Sequence, residues 1–379
     1  MAPGILVEAH TENGPTVFPK PNRASPQAAT FDPAKHLAYV PPKRIHTFED
    51  LCLPASPLTK VASTDPFPLL SEEALLEHRR ELLSDRVLDN CMYQTRPGSV
   101  QLRGMAPYYA PFIHQFWTSP EVLKIISDLA GVDLVPVLDY DICHTNIQLD
   151  SNDAEAVRQM PIVPPGAPAP KGPDESDTSA ECHPNATKHA VVPWHRDSYP
   201  FVCVVMLSDA RYMTGGETEM QRGDGTTTKV RCPQMGSAVV LHGRHVTHIA
   251  VPTGNMPERI TIVTSLRPRD PLLLENSSLM NVRNKSRLPE LYYQWTSYRL
   301  HLLSERFRLE AERLDAAHRK EIQQTEGGRG DCNTDIVDLA SLRKWMDEQM
   351  EYMRRTLFEM RPVTADDNVH KTGIQEMTV

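Results

Sequence analysis

The chain has 379 residues, enough for one large core with additions or for two modest domains, and its 40% hydrophobic and 23% charged content is that of a globular protein. No apolar run approaches the roughly 20 residues that a membrane-spanning helix requires, so no membrane association is expected. The formal net charge of -9 comes with no basic run or stripe, which disfavours a nucleic-acid partner, because phosphate backbones are bound by Lys and Arg that displace counterions.

The first residues, Met1 to Glu8, have neither the basic flank nor the apolar core of a secretion signal, so the expected location is cytoplasmic. Seven cysteines, an odd number spread from Cys52 to Cys332 without a CxxC pair, fit reduced thiols rather than a disulfide framework. Residues 1 to about 50 are rich in Pro, Thr, Ala and Asn with little apolar periodicity, and this arm is expected to be loosely ordered or draped over the core.

From Ser71 to Leu88 the series Leu75, Leu76, Leu82, Leu83, Val87 among Glu and Arg predicts an amphipathic helix, with Glu72 and Glu73 at its positive end. Ser99 to Arg103 is a short candidate strand. Ser119-Pro120-Glu121 reads as an N-cap, a first-turn proline and a first-turn acid, with Val122, Ile125, Ile126 and Leu129 as the apolar stripe and Gly131 as the stop. The stretch from Tyr140 to Leu149 alternates well enough to be a strand with one face on a pocket.

Residues 150 to 190 hold seven prolines with Ala, Gly, Asp and Ser, and read as an extended insertion, either a lid over a site or a surface excursion. From Val191 to Leu266 apolar strands alternate with Gly-rich turns, the texture of a sandwich or barrel. A long charged helix then runs from Leu291 to about Ile322, and a second from about Asp335 to Met360. In the second, Leu339, Leu342, Met346, Met350, Met353 and Leu357 recur at heptad-like spacing. Packing of that face on the preceding helix or the barrel is favoured over a dimer seam, leaving monomer or homodimer open. The layout is therefore an arm (1–50), a core (51–270) carrying the insertion, a helical extension (271–360) and a flexible tail (361–379).

The chemistry concentrates in the β-rich stretch. His195 and Asp197 are two apart, so in an extended chain an imidazole and a carboxylate point the same way. A distant His completes a two-His-one-carboxylate set, which leaves coordination positions open for reactants. His242, His245 and His248 compete for that place. Arg259 and Thr261, 11 and 13 residues after His248, share a strand face, and a guanidinium fork beside a hydroxyl receives a carboxylate well.

This order and spacing resembles the iron(II)/2-oxoglutarate-dependent dioxygenases, whose pattern is His-x-Asp, a distal His, then Arg-x-Ser/Thr about ten residues on. Here it reads His195-Arg196-Asp197, His248 and Arg259-Ile260-Thr261; the spacing to Arg259 favours His248. The resemblance covers roughly Leu134 to Pro268. It implies an α+β fold: a distorted double-stranded β-helix (jelly roll, or cupin) with supporting N-terminal helices and a C-terminal helical hairpin. It implies iron(II) held by His195, Asp197 and His248, 2-oxoglutarate held by Arg259 and Thr261, dioxygen as oxidant, and ascorbate as a stimulating reductant; Asn146, on a strand face turned to the pocket, is a candidate either for the 2-oxoglutarate carboxylate or for an inter-strand hydrogen bond.

Trp194 to Phe201 and Leu291 to Trp295 further resemble a fungal natural-product branch that includes a valine-oxidising, aziridine-forming activity. The expected reaction is oxidation of an unactivated C–H bond of a small carboxylate-bearing substrate, an L-valine-like free amino acid, by hydroxylation or ring closure. Arg103, Gln148, Tyr199 and Phe201 are candidate substrate contacts. A peptide or protein hydroxylase, and a non-catalytic metal-binding cupin scaffold, are the alternative readings.

Overall fold

A computed structural model describes residues 29–96, 99–149, 154–166, 194–232, 234–254, 256–324, 331–332 and 334–362. The expectations for residues 1–28, for most of the 150 to 190 insertion and for the tail beyond 362 fall outside the described residues.

The N-terminal part holds α1 (Pro33–His36), β1 (Ile45–Thr47), β2 (Val61–Thr64), β3 (Phe67–Pro68), α2 (Glu72–Leu82) and α3 (Asp85–Cys91). The one helix expected between Ser71 and Leu88 is two. Ser71 caps α2 by accepting from Ala74 N, and Ser84 starts α3 by accepting from Val87 N, a hydroxyl competing for backbone donors where a continuous helix would need none. From residue 29 the expected arm is partly structured: His36 is buried and Phe31 packs edge-on against Phe116.

β4 (Met92–Arg96) and β5 (Ser99–Leu102) pair as a hairpin, followed by α4 (Pro111–Thr118), α5 (Pro120–Ala130), β6 (Leu134–Pro136) and β7 (His144–Leu149). Helix α5 follows its sequence signals closely: Ser119 caps it, Pro120 opens it, and Gly131 ends it at φ 70, where a Cβ is disfavoured. The chain continues through β8 (Phe201–Met206), β9 (Thr214–Gly215), β10 (Thr218–Gln221), β11 (Thr227–Val230), β12 (Ser237–Leu241), β13 (His248–Ala250), β14 (Thr253–Gly254) and β15 (Glu258–Pro268).

The large sheet is antiparallel in the order β1-β2-β12-β8-β15-β7-β5-β4, and the small sheet runs β11-β10-β13. A backbone bridge between His195 and His248 adds a further partner to the β13 edge. The chain thus visits the large sheet at β7, the small one at His195, the large at β8, the small at β10 and β11, the large at β12, the small at β13 and the large at β15. That alternation is the jelly roll, a double-stranded β-helix, and with its helices the fold is α+β.

Strand alternation divides the large sheet into two faces. One face, with Ile147, Phe201, Cys203, Val240, Ile260 and Ile262, packs on the N-terminal helices around Phe112, Phe116 and Trp117. The other turns toward the small sheet, where Val202, Val239 and Leu241 meet Met220 and Val230. Charged and polar residues at alternate positions of β15 and β7 therefore face the interior of the roll.

The C-terminal helices α6 (Leu288–Gln324) and α7 (Leu339–Glu359) correct one expectation. Leu339, Met346, Met350, Met353 and Leu357 are 39% to 73% exposed. The covered face instead carries Gln349, Tyr352 and Thr356. It is set by specific polar partners: Trp295 Nε1 donates to Thr356 O at 3.1 Å, and Arg299 pairs with buried Glu275 at 2.7 Å while lying over the Tyr352 ring. Among the described residues no helix is long and apolar enough to cross a membrane.

Candidate metal centre

His195 and His248 face each other across the backbone bridge, exchanging N–H to O hydrogen bonds of 3.0 and 2.9 Å. A hydrogen-bonded antiparallel pair puts both side chains on one side, and the rings stand 4.4 Å apart. Asp197 follows two residues after His195 and inserts between them: His195 Nε2 is 3.5 Å from Oδ1, and His248 Nε2 is 3.7 Å from Oδ2. Among the described residues these three form the one cluster whose ligand atoms all lie within 4.8 Å of one another.

The donor set fits a cation. Asp197 Oδ2 is shielded from solvent and has no hydrogen-bond partner among the described residues, a costly state for a carboxylate oxygen unless something positive satisfies it. Removal from water would raise the Asp197 pKa, yet His248, His195 and Arg244 outweigh that and hold the carboxyl below its ordinary range. His248 Nδ1 donates to Val246 O at 3.1 Å, which leaves the Nε2 lone pair turned toward Asp197, the arrangement by which backbone carbonyls orient ligating imidazoles.

Gly243 completes the cradle. Asp197 N donates to Gly243 O at 2.9 Å, and a Cβ at position 243 would stand 2.4 Å from Asp197 Oδ2. His242 and His245 lie apart from this cluster. His242 Nε2 meets Ser56 Oγ at 3.0 Å, its ring lies against Phe201, and His245 packs edge-on against it.

The three side chains line a cavity of about 160 Å³ between the sheets, together with Arg259, Thr261 and Asn146. Arg259 is buried; it gives one hydrogen bond, from Nη2 to Gly216 O at 3.3 Å, while its Nε has no partner among the described residues. Burial pushes its pKa down to about 10, against the opposing pull of Cys232 and Glu217, so it remains a cation at neutral pH. Thr261 sits two residues along the same face and is cross-strand from Asn146, whose Oδ1 accepts from Gln101 Nε2 at 3.0 Å.

The remaining candidates divide. Arg103 and Tyr199 line the cavity but are already engaged: Arg103 Nη2 and Tyr199 OH both donate to Asp141, and Arg103 Nε donates to Ser286 Oγ at 3.2 Å. Gln148 is cross-strand from Arg259, yet its Oε1 accepts from Thr253 Oγ1 at 3.1 Å and it is not among the cavity's walls.

Phe201 is a correction. It points to the opposite face and belongs to the helix-packed core, because 198–200 form a bend that breaks the two-residue alternation between Asp197 and β8. Sequence reasoning missed Asp141, His144 and Gly243. A signal existed for His144, which shares the alternating face of Asn146.

No family model matches the chain, and no curated protein matches it. Among solved structures the chain is similar to an oxidoreductase of the 2OG-Fe(II) oxygenase family from Burkholderia pseudomallei, at 13% identity over 55% of this chain and 81% of that one, with a TM-score of 0.33. It is also similar to a Pseudomonas putida prolyl-4-hydroxylase, at 18% identity over 53% and 89% with a TM-score of 0.30. A rice dioxygenase for auxin oxidation gives 14% identity over 52% and 70% with a TM-score of 0.29. At these scores none of the likenesses bears on what this chain does.

Proposed function

We propose that the chain is an iron(II)- and 2-oxoglutarate-dependent oxygenase acting on a small substrate, a free, L-valine-like amino acid of natural-product metabolism, by hydroxylation or by oxidative ring closure such as aziridine formation. The single observation that carries the reading is the convergence of His195, Asp197 and His248 on a cavity that also holds the buried cation Arg259. No carboxylate lies within ion-pair distance of Arg259 among the described residues, so it is left for an anionic ligand. A metal-binding scaffold without turnover would have no use for it.

His195 Nε2, one Asp197 oxygen and His248 Nε2 would hold iron(II), leaving positions for 2-oxoglutarate and dioxygen. When bound, the metal supplies dioxygen activation, coupled to decarboxylation of 2-oxoglutarate to succinate and carbon dioxide. Arg259 and Thr261 hold the far carboxylate of 2-oxoglutarate through charge-assisted hydrogen bonds, and Asn146 borders the same seat. The Val246 carbonyl keeps the His248 ring in place. The rest of the task is positioning one C–H bond before the metal.

Anaerobic addition of 2-oxoglutarate to the iron(II)-loaded protein tests the reading. A visible metal-to-ligand charge-transfer band is expected, lost in His248→Ala and Asp197→Ala. Metal uptake without such a band and without 2-oxoglutarate affinity would instead support the scaffold.

A further inference from the structure

The C-terminal hairpin packs one side on the core and turns the other outward. Leu291 and Trp295 of α6 cluster with Val137, Tyr140 and Leu279. On the outward side of α6, Tyr293, Ser297, Leu300, Ser304, Phe307 and Ala311 recur at alternate steps of four and three, a heptad seam in which large and small side chains alternate. Tyr293, Leu300 and Phe307 are 68%, 56% and 46% exposed. Beside them runs the α7 stripe of Met346, Met350, Met353 and Leu357, 39% to 69% exposed. Both stripes lie on the same side of the hairpin: the Phe307 ring meets Trp345, next to Met346, and Thr296 Oγ1 meets Met360 Sδ at 3.0 Å.

This surface is complementary to itself. Arg299 donates to Tyr352 O and Arg306 to Gln349 Oε1, so Leu302 of α6 stands level with Met350 to Tyr352 of α7. A two-fold axis at that level runs the two copies of each helix antiparallel. Every large residue of the α6 seam then falls opposite a small one of the other copy: Tyr293 opposite Ala311, Leu300 opposite Ser304 and Phe307 opposite Ser297, the alternation by which facing layers interdigitate. On α7 the same axis sets Met346 opposite Leu357 and Met350 opposite Met353. Asp347 and Arg354 are seven apart and share the edge of α7 that faces away from α6, and the axis sets each opposite the other's charge in the second copy. Within one chain Arg354 makes a loose, exposed pair with Glu351 at 3.8 Å. The large apolar side chains of the two stripes expose on the order of 700 Å², close to the ~800 Å² that each partner gives to a standard interface.

We propose that α6 and α7 of two copies of this chain pack antiparallel as a four-helix bundle, making the protein a homodimer through its C-terminal hairpins. The interface is isologous, both copies giving the same surface. A partner of other sequence would have no reason to repeat the large-to-small order and the Asp347 to Arg354 spacing in reverse. The association does not depend on the oxygenase reading.

The test is sedimentation equilibrium of the full chain from about 0.1 to 100 μM, the upper part of the range over which interfaces of this size dissociate. A dimer mass is expected at the top of that range. Leu300→Glu, which buries a charge in two layers, should weaken association by roughly 100-fold or more, and Ser304→Trp, which overfills the same layers, should also abolish the dimer, whereas Ser304→Ala should keep it. Arg354→Asp or Asp347→Arg alone should weaken it by about tenfold, and the two together should restore it to within about threefold of the wild type. All these side chains except that of Asp347 are at least partly exposed hairpin positions whose loss leaves one chain's fold intact, and Asp347 lies on the same outer edge; every variant should therefore match the wild type in thermal unfolding at the lowest concentration. A chain that stays monomeric at about 100 μM overturns the proposal, whether its own ends or another protein then cover the face. So does a dimer indifferent to Leu300→Glu, or a double charge reversal weaker than either single one.

Discussion

Asp197 approaches the backbone at Gly243 more closely than any side chain there would permit, since a Cβ at 243 would stand 2.4 Å from Oδ2. Gly243→Ala should therefore displace the carboxylate and lower iron(II) affinity by roughly 10- to 100-fold, the range for disturbing the partners of metal ligands, with the fold retained by circular dichroism. Undiminished affinity would mean that the carboxylate has room to move. Arg259→Met removes the cation assigned to 2-oxoglutarate. A charged hydrogen bond is worth about 1.5–3 kcal/mol, so KM for 2-oxoglutarate should rise by roughly 10- to 100-fold, and an unchanged KM would remove Arg259 from that role. His-x-Asp and Arg-x-Thr were readable in the chain because each is a short extended segment whose two-residue period holds. Phe201 was misread because the bend at 198–200 intervenes.

At the scale of elements, α4 begins on a carboxylate from another helix: Glu81 accepts from Phe112 N at 2.9 Å and Ile113 N at 3.0 Å. Burial raises the Glu81 pKa from 4.5 to about 7, against the downward pull of those two N–H groups. A carboxyl whose folded pKa is raised binds its proton more tightly in the folded state, so its contribution to stability is fully present below about 4.5 and is lost as pH rises through about 7. Denaturant unfolding between those limits should show this loss in the wild type and a flatter profile in Glu81→Gln; identical profiles would refute it. In the C-terminal pair, Arg299→Met leaves buried Glu275 without its ion-pair partner and should cost about 3–5 kcal/mol. Met353→Ser, on the exposed heptad face, should stay within about 0.5 kcal/mol. Helix α5 was legible from its caps and periodicity and α6 from its long charged run, whereas the covered face of α7 was not: apolar spacing reports what is available for burial, and the partner on α6 offered Arg299 and Trp295, which select Tyr352 and Thr356.

Across the whole molecule, the C-terminal helix supports the wall of the cavity. Glu359 Oε2 accepts from Leu279 N at 2.8 Å and from Arg283 Nη1 at 2.9 Å, and between them the chain presents Asn281 and Val282 to the site. Glu359→Ala should lower the thermal midpoint, by up to about 3 kcal/mol of stability, and raise the KM of the amino-acid substrate with the 2-oxoglutarate KM unchanged. Equal effects on both would show that the wall serves the whole cavity. The sequence by itself determined the strand texture, the ends of α5 and the His-x-Asp and Arg-x-Thr pairs, because those depend on neighbours within a few residues. The spacing to Arg259 favours His248 over His242 and His245, but only the tertiary structure brings it to Asp197 and joins Arg103 from β5's end, Asp141 and Tyr199 in one buried network. These are contacts between segments 38 to 58 residues apart, fixed by sheet register, which no local pattern encodes.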